Sequence, residues 1–104
     1  MDKYILMATV DAKPGEDEEF NRWYDEEHLR DVCQVPGFVS GKRYQSDPAS
    51  PLASPGRYLA IYELETDDPT AVLAELSRRA QVGEIPISPT LAPGTAQMML
   101  YKAR

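Results

Sequence analysis

The 104-residue chain contains one cysteine, Cys33, so no disulfide can form within it. It also contains one histidine, His28, whereas a metal site in a protein usually needs three or four converging ligands. We therefore expect no metal site. The scarcity of histidine leaves His28 as the one side chain whose ordinary pKa lies close to neutrality.

The chain also lacks an excess of positive charge and a long hydrophobic run. Lys and Arg number 11 against 17 Asp and Glu, which gives a net charge of -6. Because nucleic-acid binding depends on clustered Lys and Arg, we expect no nucleic-acid partner. The apolar run from Tyr4 to Val10 is broken by Thr9 and is much shorter than a membrane span. These features predict a cytoplasmic protein that has no membrane partner.

Apolar periodicity and helix breakers predict six elements. We expect strands over 3–10, 38–45, 57–65 and 95–101, a helix from 16 to 33 or 34, and a second helix after the TDDP cap at 66–69. Pro36 ends the first helix because proline cannot continue one. Two proline-rich segments, 46–56 and 83–94, are expected surface loops, and whether they act as lids stays open.

The predicted order of these elements is βαββαβ. It indicates an α+β, ferredoxin-like fold with a four-stranded antiparallel sheet and two helices on one face. We expect a single domain that spans residues 1–104. Gly37 and Gly41 are interpreted as turn or strand-packing glycines.

The strands are apolar at consecutive positions instead of alternating. This pattern fills Tyr4–Ala8, Tyr58–Tyr62 and Met98–Tyr101. Two helices cover only one face of the sheet, so the second apolar face needs another cover. A second copy of the chain, sheet against sheet, would give a twofold homodimer. The alternative is a monomer whose apolar patch binds a different partner.

The rare residues concentrate in one segment, FNRWYDEEHLRDVCQVPGF, at residues 20–38. Positions three and four apart share a helix face, which predicts one line of side chains with Trp23 beside it: Phe20, Tyr24, His28 and Val32. His28 then points toward the sheet among aromatic groups. Either it is a half-buried core residue held by one hydrogen bond, or it lines a pocket and transfers protons.

This segment resembles the signature of the EthD-like and related uncharacterised families in the dimeric α+β barrel superfamily. The resemblance is carried by Phe20, Asn21, Trp23, Tyr24, His28, Pro36, Gly37 and Phe38. It implies a homodimer through the sheet face, a pocket between sheet and helices, and a small, often aromatic or polyketide-like ligand. Related barrels include cofactor-free monooxygenases, muconolactone-type isomerases, polyketide cyclases and dye- or haem-degrading enzymes, and many members have no known activity.

The resemblance also implies roles for individual residues. It places His28 in the pocket. The aromatic helical stripe makes Phe20, Trp23 and Tyr24 candidate substrate-binding groups beside it. In related isomerases and cyclases, a His and a Tyr share proton transfer. Three tyrosines are candidates, each of which could instead be a core or interface residue: Tyr44, which is nearest to the Pro-Gly-Phe break and is our choice, Tyr62 and Tyr101.

Other groups have simpler interpretations. Cys33 lies at the helix C-terminus, where the dipole disfavours a thiolate, so we interpret it as a small buried hydrophobe. The acidic residues at 16–19 and 25–27 predict a solvated helix face. Surface charge is preferred to substrate binding for Lys42, Arg43 and Arg57. The chain contains no phosphate-loop, dinucleotide, CxxC or GxSxG motif, and its acidity is a poor match for haem propionates, so we expect no cofactor.

These features predict a dimeric α+β barrel protein that binds a small cyclic or aromatic metabolite between the first helix and the sheet. His28 would act as acid or base in an isomerisation, a cyclisation or a cofactor-free oxygenation. The alternative is a non-catalytic, dimeric ligand-binding or stress-responsive module that uses the same pocket or none.

Overall fold

The computed structural model describes residues 1–104 and has the predicted α+β, ferredoxin-like architecture. Strands β1 (Asp2–Val10), β2 (Phe38–Gln45), β3 (Tyr58–Thr66) and β4 (Gln97–Lys102) form one antiparallel sheet in the order β2-β3-β1-β4. The first helix is continuous and consists of α1 (Asp17–Trp23), a π-helical turn (Tyr24–His28) and α2 (Leu29–Cys33). The second helix is α3 (Pro69–Gln81). The predicted βαββαβ order is confirmed.

Alternation along β3 shows which face of the sheet the helices cover. Every second side chain is buried, namely Tyr58, Ala60, Tyr62 and Leu64. The intervening residues are half-buried or exposed. Because side chains of a strand alternate between the two faces, the buried set lies beneath the helices. The same face of the sheet carries Leu6 of β1, which pairs with Tyr62 and with Leu100 of β4.

Local signals begin α3 and end the first helix where the sequence predicts. Asp68 accepts a hydrogen bond from the backbone N–H of Ala71 at 3.1 Å, and Pro69 starts α3. After the first helix, Gly37 turns the chain with a φ of 105°. A Cβ atom at Gly37 would lie 2.7 Å from Cγ2 of Val72, so glycine permits the close approach of α3. None of the helices has the length and apolar character that a membrane crossing requires.

Strand β4 begins later than predicted, at Gln97 instead of Thr95. The Thr95 hydroxyl donates to the Ala92 carbonyl at 2.7 Å and accepts from the Asp11 backbone N–H at 3.1 Å. These bonds hold Thr95 in the preceding turn. The loop before β4 is also tied to the segment that follows β1, because Lys13 donates its backbone N–H to the Thr90 carbonyl at 2.8 Å.

The second face of the sheet is covered by neither helix. Its side chains are largely apolar, and those of the inner strands are half-buried: Ile5, Met7, Leu59 and Ile61. At the edges, Tyr44 is 44% exposed and Tyr101 is 55% exposed. The predicted apolar character of both faces is therefore present, and in the single chain one apolar face stays open. We refer to it below as the open face.

Candidate functional site

A cavity of about 520 Å³ lies between the helix-covered side of the sheet, α3 and the first helix. Its wall is mainly aliphatic and is formed by Leu6, Ala8, Val32, Leu73, Leu76, Ala80, Ile85, Ile87, Met98, Met99 and Leu100. The exposed members Ile87, Met98 and Leu100 lie at its mouth. Four residues bring polar atoms: Tyr24, His28, Tyr62 and Ser77. An apolar cavity with a few convergent polar groups is typical of a small-molecule site.

The π-helical turn determines how the first helix presents its aromatic groups. Backbone bonds in such a turn span five residues instead of four, and these turns are frequent at functional sites. Here the turn brings Trp23 and His28, five residues apart, into a stack with ring centroids 4.6 Å apart and planes at 27°. Tyr24 meets His28 edge-on at 4.8 Å. The predicted contact between Tyr24 and His28, which are four residues apart, is therefore present. In addition, the Trp23 ring stacks on the imidazole.

His28 lines the cavity without being held by a hydrogen bond. Its Nδ1 is buried and has no partner, so the interpretation of a core histidine held by one bond does not describe it. Burial, and secondly the positive charge of Arg43, lower the pKa of His28 from 6.5 to about 4. The imidazole is therefore neutral near pH 7 and offers one nitrogen as an acceptor.

A pair of tyrosine hydroxyls lies on the same wall. The Tyr24 and Tyr62 hydroxyls are 3.0 Å apart and buried. Burial raises the pKa of both phenols, most strongly that of Tyr62. Both therefore stay protonated at neutral pH, and the pair can donate a hydrogen bond into the cavity.

The structure separates the other predicted binding residues from the cavity. Phe20 is completely buried and packs against Trp23, Tyr24 and Tyr58, so it is a core residue. Trp23 is also buried and reaches the site only through its stack on His28. Neither side chain is part of the cavity wall.

Tyr44, the preferred partner of His28, lies on the open face opposite Leu59. The alternation of β2 places Gly41 and Arg43 beneath the helices and Tyr44 on the other side. Tyr101 also lies on the open face, opposite Ile5. Of the three candidate tyrosines, Tyr62 is the one that the fold brings to the cavity wall that also carries His28.

Arg43 is the residue that the sequence interpretation missed. Its side chain is 11% exposed, and it donates hydrogen bonds to Asp25 and Asn21, both at 2.9 Å. Its guanidinium carbon lies 4.3 Å from the centroid of the Tyr24 ring. Arg43 is thus not a surface charge, unlike Arg57 at 60% exposure. The sequence signal for this burial was spacing: Arg43 follows Gly41 by two residues, so both lie on the same face of β2.

A second hollow in the surface and the Cys33 thiol are weaker candidates for a functional site. The hollow, of about 370 Å³, lies at one end of the sheet among the ends of exposed Lys3, Glu63, Glu65 and Lys102, with no buried titratable group. Cys33 is half-buried, and burial raises its pKa, which disfavours a nucleophilic thiolate. The larger cavity is therefore the candidate site.

Comparisons with known proteins show the fold. No family model and no curated protein matches the chain. Among solved structures, the haem degrader MhuD of Mycobacterium tuberculosis, with two haems in its active site, aligns with a TM-score of 0.67 at 14% identity over 96% of this chain and 94% of its own. A candidate monooxygenase of Shewanella loihica has a TM-score of 0.65 at 16% identity over 100% and 97% of the two chains. A candidate antibiotic biosynthesis monooxygenase of Nitrosomonas europaea has 0.57 at 18% over 97% and 89%.

The chain shares its ferredoxin-like α+β fold with these structures. Because one of them holds haem, we tested this cavity for the same group. Haem carries two carboxylates, yet the cavity wall contains no Lys or Arg to pair with them. The uncharged cavity wall therefore does not fit haem.

Proposed function

We propose that the chain forms a twofold homodimer of the α+β barrel type and binds a small cyclic or aromatic molecule in the cavity, where His28 transfers protons. One observation carries this proposal: a neutral, unbonded imidazole and a paired tyrosine hydroxyl share the wall of an otherwise apolar cavity. The volume of about 520 Å³ suits a compact ligand. The motif at residues 20–38 supports a relation to the EthD-like families within this fold.

The arrangement supports abstraction of a proton from a carbon beside a carbonyl group. Neutral His28 accepts the proton, and the electron pair of the broken bond moves onto the ligand oxygen as an enolate. The Tyr62 or Tyr24 hydroxyl, which stays protonated, donates a hydrogen bond to that oxygen. Return of the proton from His28 to a different carbon completes an isomerisation that needs no oxidant.

The low pKa of His28 constrains this chemistry. An imidazolium is unfavourable in the empty cavity because burial and Arg43 both oppose the charge. An enolate formed in contact with it supplies the opposite charge and offsets this cost. The same reasoning favours ligands that enter uncharged, since the cavity wall carries no fixed charge.

The dimer is supported by the open face. Covering its half-buried apolar side chains with a second copy stabilises by roughly 1.5–3 kcal/mol for each large side chain fully removed from water. Ile61→Glu would place a charge in the middle of this face, whereas Ala74→Glu, at an exposed position of α3 outside the cavity wall, would not. We expect analytical ultracentrifugation at micromolar concentration to show a dimer for the native chain and for Ala74→Glu, and a monomer for Ile61→Glu. A monomeric native chain would contradict the proposed dimer.

Proton transfer can be tested without knowledge of the natural substrate. A panel of compact cyclic ketones and enols would be incubated with the protein in D₂O, and exchange of the acidic C–H would be followed by NMR. For any active compound, we expect His28→Gln to slow exchange by roughly 10²–10⁴-fold, the usual contribution of one positioned acid or base. Arg30→Gln, on the exposed side of the same helix, should not change the rate. Exchange that persists in His28→Gln would exclude His28 as the base.

The non-catalytic alternative makes a different prediction. A binding module would retain ligands in the cavity, would show no exchange with any of them, and would bind equally well after His28→Gln. This outcome would support the proposed ligand site and contradict proton transfer by His28.

A further inference from the structure

Arg43 contacts the acid–base site without touching the cavity. It is absent from the cavity wall, yet its guanidinium stacks on Tyr24, which lines the cavity. The Tyr24 ring also meets His28 edge-on at 4.8 Å. The cation and the imidazole therefore contact the same aromatic ring.

The guanidinium is held in a fixed orientation by the first helix. Its Nη1 donates to Asp25 and its Nη2 donates to Asn21, both at 2.9 Å. Asn21 and Asp25 are four residues apart and lie on either side of the start of the π-helical turn. A planar fork can satisfy two such acceptors and stack on a ring at once, which a lysine ammonium cannot.

Arg43 packs over the rings of Phe20, Tyr24 and Tyr58, but packing alone does not require a charged side chain. Its Nε is buried and has no hydrogen-bond partner. An unpaired buried N–H reduces stability, and an aliphatic side chain of similar length would avoid this cost. The positive charge itself is therefore the property to explain.

We infer that Arg43 is a positioning residue of the acid–base site, which holds the Tyr24 ring and its hydroxyl partner Tyr62 against the cavity and keeps a fixed positive charge stacked on that ring. The role in catalysis rests on the proposed function, whereas the electrostatic role does not depend on any ligand. The pKa of His28 agrees with this arrangement, because the charge of Arg43 lowers it in addition to burial.

The other charged groups near His28 do not account for this effect. Along its own helix the acidic neighbours are Asp25, Glu27 and Asp31, whose negative charges would favour the imidazolium. The two arginines of that helix, Arg22 and Arg30, are exposed and each pairs with a carboxylate. Tyr62 on β3 and Tyr24 remain neutral phenols. The residues that α3, β1 and β4 contribute to the cavity carry no charge. Arg43 is the cation that opposes protonation of His28.

The single histidine makes the test direct, because the Hε1 proton of His28 gives one histidine signal in the NMR spectrum. We expect Arg43→Gln, which can still bond to Asn21 or Asp25 but has no charge, to raise the pKa of His28 measurably above its native value of about 4, while burial keeps it below 6.5. Arg43→Lys keeps the positive charge, so the pKa of His28 should stay close to that of the native chain. Arg57→Gln, which removes an exposed arginine, is the matched control and should leave the value unchanged. An unchanged pKa in folded Arg43→Gln would overturn the inference.

A second pair of variants applies if Arg43→Gln does not fold. Asp25→Asn removes the carboxylate that binds Arg43, and Glu27→Gln removes an exposed carboxylate next to His28 that binds Arg22 instead. We expect Asp25→Asn to lower the protonated fraction of His28 at pH 4.5 clearly more than Glu27→Gln does. Equal effects would show that the helix charges act without Arg43. Neither measurement needs a substrate, so failure of the catalytic proposal would leave the result interpretable.

Discussion

His28 should make the stability of this protein depend on pH between 6.5 and 4. Its pKa is 6.5 in an unfolded chain and about 4 in the folded protein. Below pH 6.5 the unfolded chain therefore binds a proton that the folded protein does not. The stability that comes from keeping His28 neutral is fully present above pH 6.5 and is lost as the pH falls toward 4.

The size of the effect follows from the two pKa values. One pKa unit corresponds to about 1.4 kcal/mol, so the difference between 6.5 and about 4 corresponds to about 3 kcal/mol. This is a large part of the 5–15 kcal/mol that is typical of a small protein. Carboxylates also titrate near pH 4, so the native chain alone cannot isolate the histidine.

The comparison of the native chain with His28→Gln isolates it. Urea unfolding would be measured at pH 7.5, 6.0, 5.0 and 4.0, at one protein concentration. We expect the native chain to lose about 3 kcal/mol more than His28→Gln over this range, with most of the difference between pH 6.5 and 4. Parallel curves for the two proteins would refute the reasoning, since they would mean that His28 is protonated equally easily in the folded and unfolded states.

Two further predictions concern the same wall and the turn that leads to β2. Tyr62→Phe leaves the buried Tyr24 hydroxyl without its 3.0 Å partner. Urea unfolding should therefore show a free energy of unfolding reduced by about 1–3 kcal/mol. An unchanged stability would show that water replaces the lost hydroxyl. Gly37→Ala would place a Cβ atom 2.7 Å from Val72 at a φ of 105°, and should reduce the free energy of unfolding by about 1–3 kcal/mol. Gly15→Ala, at a φ of 79° with no atom within 4 Å, should reduce it less. Equal losses would show that α3 shifts to make room for the new methyl group.

The folding pattern was predictable because its signals are local. Pro36 and Gly37 end the first helix, the Asp68 side chain caps α3, and the apolar runs mark the strands. Each of these signals depends on the conformation of a few neighbouring residues, which the backbone and side-chain chemistry restrict. The strand and helix order follows from them, and the open apolar face was visible in the absence of alternation.

The site was predictable only in part. The place of His28 beside Tyr24 follows from helical spacing, and the structure has that contact. The choice of Tyr44 as the partner was not supported, because the phase of β2 relative to the helices depends on packing across the sheet. That phase puts Tyr44 on the open face and leaves Tyr62 of β3 beside Tyr24.

The sequence by itself determined the element order, the fold class and the position of the one histidine, since these depend on periodicity and on residues that break or cap helices. Only the tertiary structure decided that the first helix widens into a π-helical turn, that Arg43 is buried against Tyr24, and that the loop after α3 supplies Ile85 and Ile87 to the cavity. These features arise from contacts between residues far apart in the chain. Their energies depend on the surfaces that the finished fold brings together, and no local pattern records them.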